Sequence, residues 1–181
     1  KMTDTTNMYK FYIYRDTLPT ATTLIDSVGS SSRSYVDNKV QVSTKYYYRV
    51  RLENSQYVLS DYSNEGSVSV LREPALISPK HLTVNESMTP LLKYGKTRYS
   101  QQYKIQVSTS KSFATTVVDQ TQSKDSLQLT SSLKYNSYYY WRVRSVDSLG
   151  YSKWSDTFRF QTKVQVPIVT TRSTNEAQVT L

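Results

Sequence analysis

The sequence predicts an all-β chain of repeated two-sheet sandwiches, and three observations carry that expectation. Thr44-Lys45-Tyr46-Tyr47-Tyr48-Arg49-Val50-Arg51 returns as Ser137-Tyr138-Tyr139-Tyr140-Trp141-Arg142-Val143-Arg144, and Val50 and Val143 stand 93 positions apart. That interval is the length of one small sandwich module. Both copies alternate, with Tyr46, Tyr48, Val50 and Leu52, or Tyr139, Trp141 and Val143, on one side of a strand and the arginines on the other. A period of two marks a strand with one buried face. Composition agrees: 17 Tyr stand against 4 Phe and 2 Trp, with Ser and Thr throughout, and no segment reads as a long helix.

Residues 73–163 read as one complete module. Pro74 to Pro79 is expected as an edge strand A, bounded by prolines that cannot donate to a ladder. Pro90 to Gly95 follows as strand B, with Leu92 and Tyr94 inward. Strand C is expected over Gln102 to Thr109, where Tyr103, Ile105 and Val107 share a face, then a short strand at Val117 and Val118. Leu127 and Leu129 mark strand E, Tyr138 to Val146 strand F, and Thr157 to Thr162 strand G. Leu133 precedes Tyr139 by six positions, a spacing at which a tyrosine at the E to F corner bonds back to the chain just upstream. Residues 1–72 repeat the pattern only from strand C onward, through Phe11-Tyr12-Ile13-Tyr14-Arg15, Leu24-Ile25, Tyr35-Val36-Asp37 and the Tyr46 to Val50 strand. They lack strands A and B. Residues 164–181, with Pro167-Ile168-Val169 and Ala177 to Leu181, read as the A and B strands of a further module.

In order and spacing, Tyr103 to Val107, Phe113, Leu133, Tyr139 to Arg144 and Trp154-Ser155 resemble the bacterial fibronectin type III modules. The resemblance implies tandem immunoglobulin-like β-sandwiches, one complete and flanked by two partial ones. It departs from the family at Tyr94, where strand B usually carries tryptophan.

Catalytic constellations are nearly absent. There is no cysteine, hence no disulfide framework and no thiolate metal site, and four glycines leave nothing for a phosphate-cradling loop. The single His81 sits beside Pro79 and Lys80 in an expected solvated loop, without a nucleophile to pair with. Acids are dispersed over turns, where Asp bonds its own backbone. No enzyme activity, metal or cofactor is expected. No run approaches the length of a membrane span, and the start at Lys1 does not resemble a signal peptide.

Net charge is +9 and uneven: residues 1–72 carry nine Lys and Arg against seven acids, residues 73–163 thirteen against six. The basic second module therefore offers a candidate glycan- or anion-binding face from Tyr140, Arg142 and Arg144 on strand F and Lys104 on strand C. The competing reading is a solvated sheet face held by cross-strand pairs. Five tripeptides of Asp, then Ser or Thr, then a small or apolar residue exceed what composition alone gives, and resemble an O-glycosylation acceptor of exported bacterial proteins. Their acceptors are Thr5, Thr17, Ser27, Ser126 and Ser148.

Together these features lead to a non-catalytic spacer or adhesive stalk segment of a larger exported bacterial surface protein, extracellular or at the cell surface. Short junctions, Leu71-Arg72-Glu73 and Lys163 to Val166, favour an extended array. The alternative is a set of accessory modules of a secreted polysaccharide-degrading enzyme. Expected partners are other modules of the same or neighbouring chains and anionic polysaccharide or cell-surface glycan, with no nucleic acid and no membrane insertion. For the incomplete first module two arrangements follow. Either flanking strands of a longer array complete it, or residues 176–181 of one copy pair with residues 34–37 of the next.

Overall fold

A computed structural model describes residues 8–167, 170–173 and 177–180. The chain divides into two compact units, the first made of residues 1–73, 97–101 and 145–153, the second of 74–96, 102–144 and 154–181. No helix occurs among the described residues, and so none is long and apolar enough to cross a membrane.

In the first unit, β1 (Met8–Asp16), β2 (Leu24–Gly29), β3 (Thr44–Asn54) and β4 (Gly66–Val70) form one antiparallel sheet in the order β2-β1-β3-β4. The register sets Phe11 opposite Leu52, Ile13 opposite Val50 and Arg15 opposite Tyr48. Directly opposite residues share a sheet face, so the apolar side chains collect where a sandwich would place its second sheet. The strand expected over Tyr35–Asp37 does not form. Residues 32–41 belong to no ladder; strand E of a sandwich is defined by pairing with strand B, and no such strand is among the described residues of this unit. Asp37 instead accepts from Arg15 Nη1 at 2.6 Å and from the Tyr48 hydroxyl at 2.9 Å.

The second unit is a full sandwich. β5 (Leu76–Ser78), β6 (Thr83–Glu86), β7 (Leu91–Tyr94), β8 (Gln102–Ser108), β9 (Val118–Gln122), β10 (Ser126–Gln128), β11 (Tyr138–Val146) and β12 (Phe158–Thr162) make two sheets, β10-β7-β5 and β6-β12-β11-β8-β9. Alternate residues of β7, β8 and β11 point between them, and Leu92, Ile105, Val107, Trp141, Val143 and Phe160 are completely buried. Removing each such side chain from water contributes about 1.5–3 kcal/mol. Tyr94 fills its core position with its polar end satisfied: its hydroxyl donates to the Lys124 carbonyl at 2.8 Å and accepts from Gln122 Nε2 at 3.1 Å.

Two elements differ from the sequence reading. Strand A is split: β5 pairs with β7, whereas beyond Pro79 the chain continues as β6, which runs parallel to β12. A proline cannot donate to a ladder, and the change of sheet occurs there. His81 lies in the expected exposed turn, at this crossing, accepting the Arg159 amide on Nδ1 at 3.1 Å with its ring 5.6 Å from that of Phe158. The short strand expected at Val117 and Val118 is the longer β9.

Each unit turns the same corner. The Lys134 amide donates to the Tyr139 hydroxyl at 3.0 Å, and the Gln41 amide donates to the Tyr46 hydroxyl at 3.0 Å. Tyr139→Phe leaves the amide without that acceptor, and urea unfolding is expected to show a loss of about 1–2 kcal/mol with the β-sheet spectrum unchanged.

The remaining strands, β13 (Thr170–Ser173) and β14 (Ala177–Thr180), form an antiparallel hairpin with Thr171 opposite Val179. Of the segment expected as a strand at Pro167-Ile168-Val169, Pro167 stands outside any strand and Ile168 and Val169 fall outside the described residues.

Candidate functional site

On the outer face of the second unit, β8 and β11 alternate outward Lys104, Gln106, Tyr140, Arg142 and Arg144 against their inward core residues. The structure brings these residues onto one face but gives most of the charge an intramolecular partner. The Arg142 guanidinium lies 3.9 Å from the Phe113 ring centroid and 4.2 Å from that of Trp154. It also donates through Nε and Nη2 to Gln106 Oε1, at 3.0 and 2.7 Å. Gln106 in turn donates to Asp119 Oδ2 at 2.9 Å, and Asp119 Oδ1 takes the Lys104 ammonium at 2.9 Å. Arg144 lies 4.5 Å from the Trp154 ring. Burial, and then the Arg144 charge, lowers the Arg142 pKa. Burial opposes the Asp119 carboxylate, but hydrogen bonds from Gln106 and Lys104 outweigh it and hold its pKa below the usual carboxylate range. Tyr140 is half-buried on the same face.

The same device recurs in the first unit. Arg49 and Arg51 lie 4.0 and 5.0 Å from the Tyr62 ring, and Arg49 donates to the Ala21 carbonyl through Nε and Nη2 at 2.8 and 2.6 Å. Tyr62 and Trp154 thus hold corresponding places, and each sits in a second repeat: Ser60-Asp61-Tyr62-Ser63 and Ser152-Lys153-Trp154-Ser155. The serines act alike in both. The Leu52 and Val50 amides donate to Ser60 Oγ and Ser63 Oγ, and the Ser145 and Val143 amides to Ser152 Oγ and Ser155 Oγ, all at 3.0 Å.

A guanidinium between two rings contributes through packing of its stem as well as through charge. Arg142→Ala is therefore expected to lower the second unit's stability by about 1–2 kcal/mol. Lys104→Ala, which removes one surface ion pair, changes it by less than about 0.5 kcal/mol. Urea titrations of both variants check the contrast.

Of the five hydroxyls in the Asp-Ser/Thr tripeptides, Thr17, Ser27 and Ser148 are exposed, Ser126 is half-buried on β10, and Thr5 lies outside the described residues. Three of the preceding aspartates bond nearby amides: Asp16 those of Thr22 and Thr23, Asp26 that of Ser27, and Asp147 those of Leu149 and Gly150. Among the described residues no group of three or more His, Cys, Asp or Glu is placed to hold a metal ion.

Residues 91–165 match the family model of the Rha78A-like, N-terminal immunoglobulin domain. Residues 91–165 are thus similar to an immunoglobulin-like domain, in keeping with the two-sheet arrangement of β5 to β12. No curated protein sequence matches the chain. Among solved structures, these modules are similar to FN3tt (21% identity, 51% of this chain and 98% of that one, TM-score 0.39). They are also similar to the alpha-L-rhamnosidase from Dictyoglumus thermophilum (19% identity, 51% of this chain and 12% of that one, TM-score 0.40). The FN1–FN3 domains of chicken CNTN1 align over 87% of this chain and 55% of theirs, at 17% identity and a TM-score of 0.40.

Proposed function

We propose that these fibronectin type III modules are a non-catalytic accessory segment of a larger exported protein that acts on polysaccharide, serving there as a spacer rather than as the reacting domain. The observation that carries this reading is the match of residues 91–165 to an immunoglobulin domain that stands N-terminal in Rha78A-like proteins. The locked outer face is consistent with it, since a guanidinium stacked between Phe113 and Trp154 serves rigidity before recognition. An extracellular setting follows from the same reading.

The test is made in the full-length protein. Deleting this segment lowers activity on polymeric glycan while sparing a small chromogenic glycoside, and an unrelated sandwich array of equal length restores the loss. Failure of the replacement to restore it overturns the spacer role. So does turnover of a glycoside by the 181-residue chain alone.

A further inference from the structure

The outer face of the second unit's five-stranded sheet divides into two halves. Toward β8 and β9 its charges are paired, Lys104 with Asp119 and Arg142 with Gln106 and two rings. Toward β6 and β12 they are not. Arg159 on β12 stands opposite Tyr140, and its guanidinium lies 4.6 Å from the ring centroid of Tyr138. Among the described residues no carboxylate or carbonyl holds that guanidinium, the ion pairs of this unit being Lys96 with Asp125 and Lys104 with Asp119. The main chain of Arg159 is nevertheless fixed on both sides. Its amide donates to His81 Nδ1 at 3.1 Å, and its carbonyl accepts from the Leu82 amide at 2.7 Å.

Apolar surface surrounds this cation. Phe160 faces the core beside Thr83, so Val84, the next residue of β6, lies on the same face as Arg159. Val84 is 66% exposed, Leu82 56% and Tyr138 48%. Lys80 and Lys163 are exposed at the ends of β6 and β12. The Tyr138–Arg159 pair is no requirement of the fold. Arg142 recurs 93 positions earlier as Arg49, but Lys45 holds the place of Tyr138, and Ser67 stands opposite Tyr47 where Arg159 stands opposite Tyr140.

We propose that this half of the face binds an acidic polysaccharide, with a sugar carboxylate on the Arg159 guanidinium and the C–H faces of the sugar rings on Tyr138, Leu82 and Val84. A guanidinium offers a carboxylate two parallel N–H donors. One already seated on a ring and mounted on a fixed main chain loses little freedom on binding. A polymer of carboxylated rings alternates charge with apolar ring surface, as this patch does. A phosphate backbone would leave Leu82 and Val84 wet. The excess of thirteen Lys and Arg over six acids in residues 73–163 draws such a polymer in. The inference goes beyond the spacer reading and does not rest on it: it concerns retention rather than turnover, so the two fail separately.

The test uses the 181-residue chain on immobilised polygalacturonate at low ionic strength, with neutral dextran as the reference. The chain is expected to be retained on the acidic polymer alone and released as salt rises. Arg159→Gln is expected to weaken binding roughly tenfold, and Arg159→Lys, which keeps the charge but not the fork, to restore only part of the loss. Lys111→Gln removes the same charge from the exposed turn between β8 and β9 and is expected to leave retention nearly unchanged. Where Arg159→Gln does not fold, Val84→Glu, at an exposed edge position, carries the test and is expected to abolish retention. Equal binding to dextran overturns the proposal. So does an equal loss in Lys111→Gln and Arg159→Gln, which reduces the effect to net charge, and so does tighter binding of polyglutamate or duplex DNA than of polygalacturonate.

Discussion

Trp141→Ala is expected to lower the stability of the second unit by about 3–5 kcal/mol. The indole is completely buried at the centre of β11, perpendicular to the Phe158 ring at 6.3 Å and within the cluster that contains Leu92, Ile105 and Phe160. Truncation removes its transfer free energy and leaves a cavity between two sheets that cannot collapse without breaking ladders. Trp141→Phe keeps a ring there, and since Trp141 Nε1 has no hydrogen-bond partner, no bond is given up; its loss is correspondingly smaller. Both tryptophans, Trp141 and Trp154, lie in the second unit. Trp154 fluorescence during urea unfolding therefore follows this unit without contribution from the first. An unchanged midpoint for Trp141→Ala contradicts the assigned core.

The second large effect concerns the first unit, where Arg15, Asp37 and Tyr48 stand in for part of a core. Burial works against the Asp37 carboxylate, yet hydrogen bonds from the Lys39 amide, Tyr48 and Arg15 outweigh it and lower its pKa. Burial, and then the bond to Asp37, pushes Tyr48 up to about 12. A depressed carboxylate contributes stability above its ordinary value of 3.8 and loses it as the pH falls through the folded value. A raised phenol contributes stability below its ordinary value of 10.0 and loses it as the pH rises through about 12. The first unit is thus expected to weaken at both ends of the pH scale. Asp37→Ala leaves Arg15 and Tyr48 without their shared acceptor, at a loss of about 1–3 kcal/mol near neutrality, and flattens the acid limb. Amide exchange in β1 and β3 at pH 7 and pH 3 checks both, and an unaltered acid limb in the variant refutes the linkage.

The second unit was largely legible because its signal is local. Period-two alternation in Tyr103–Val107 and Tyr139–Val143 sets strand and inward face together, and the tyrosine corner is a fixed spacing along the chain. Failures occurred where structure depends on a distant partner. Tyr35–Asp37 has the composition of a strand but no neighbour to ladder with among the described residues, and β6 exists only because β12 passes beside it. The outer face was read as a choice between a binding surface and cross-strand pairs. What it contains is Arg142 held by Phe113 and Trp154, residues 29 and 12 positions away along the chain. The Ser-x-aromatic-Ser repeat was present in the sequence all along, but its period is masked by the abundance of serine around it.

That serine repeat also bears on how the molecule avoids sticking to itself. Beyond the last ladder pairs of β3 and β11, the neighbouring segment is not a regular strand, and hydroxyls occupy the acceptor places. Each of the four hydroxyls then donates to the carbonyl of the following residue, Asp61, Asn64, Lys153 and Asp156, at 2.6 to 2.8 Å. Carbonyls that would otherwise face outward as an open row are consumed one residue at a time. An edge treated this way offers an approaching strand neither a straight course nor a run of free acceptors, which is how soluble β proteins resist edge-to-edge aggregation. Here that protection is written into four serines.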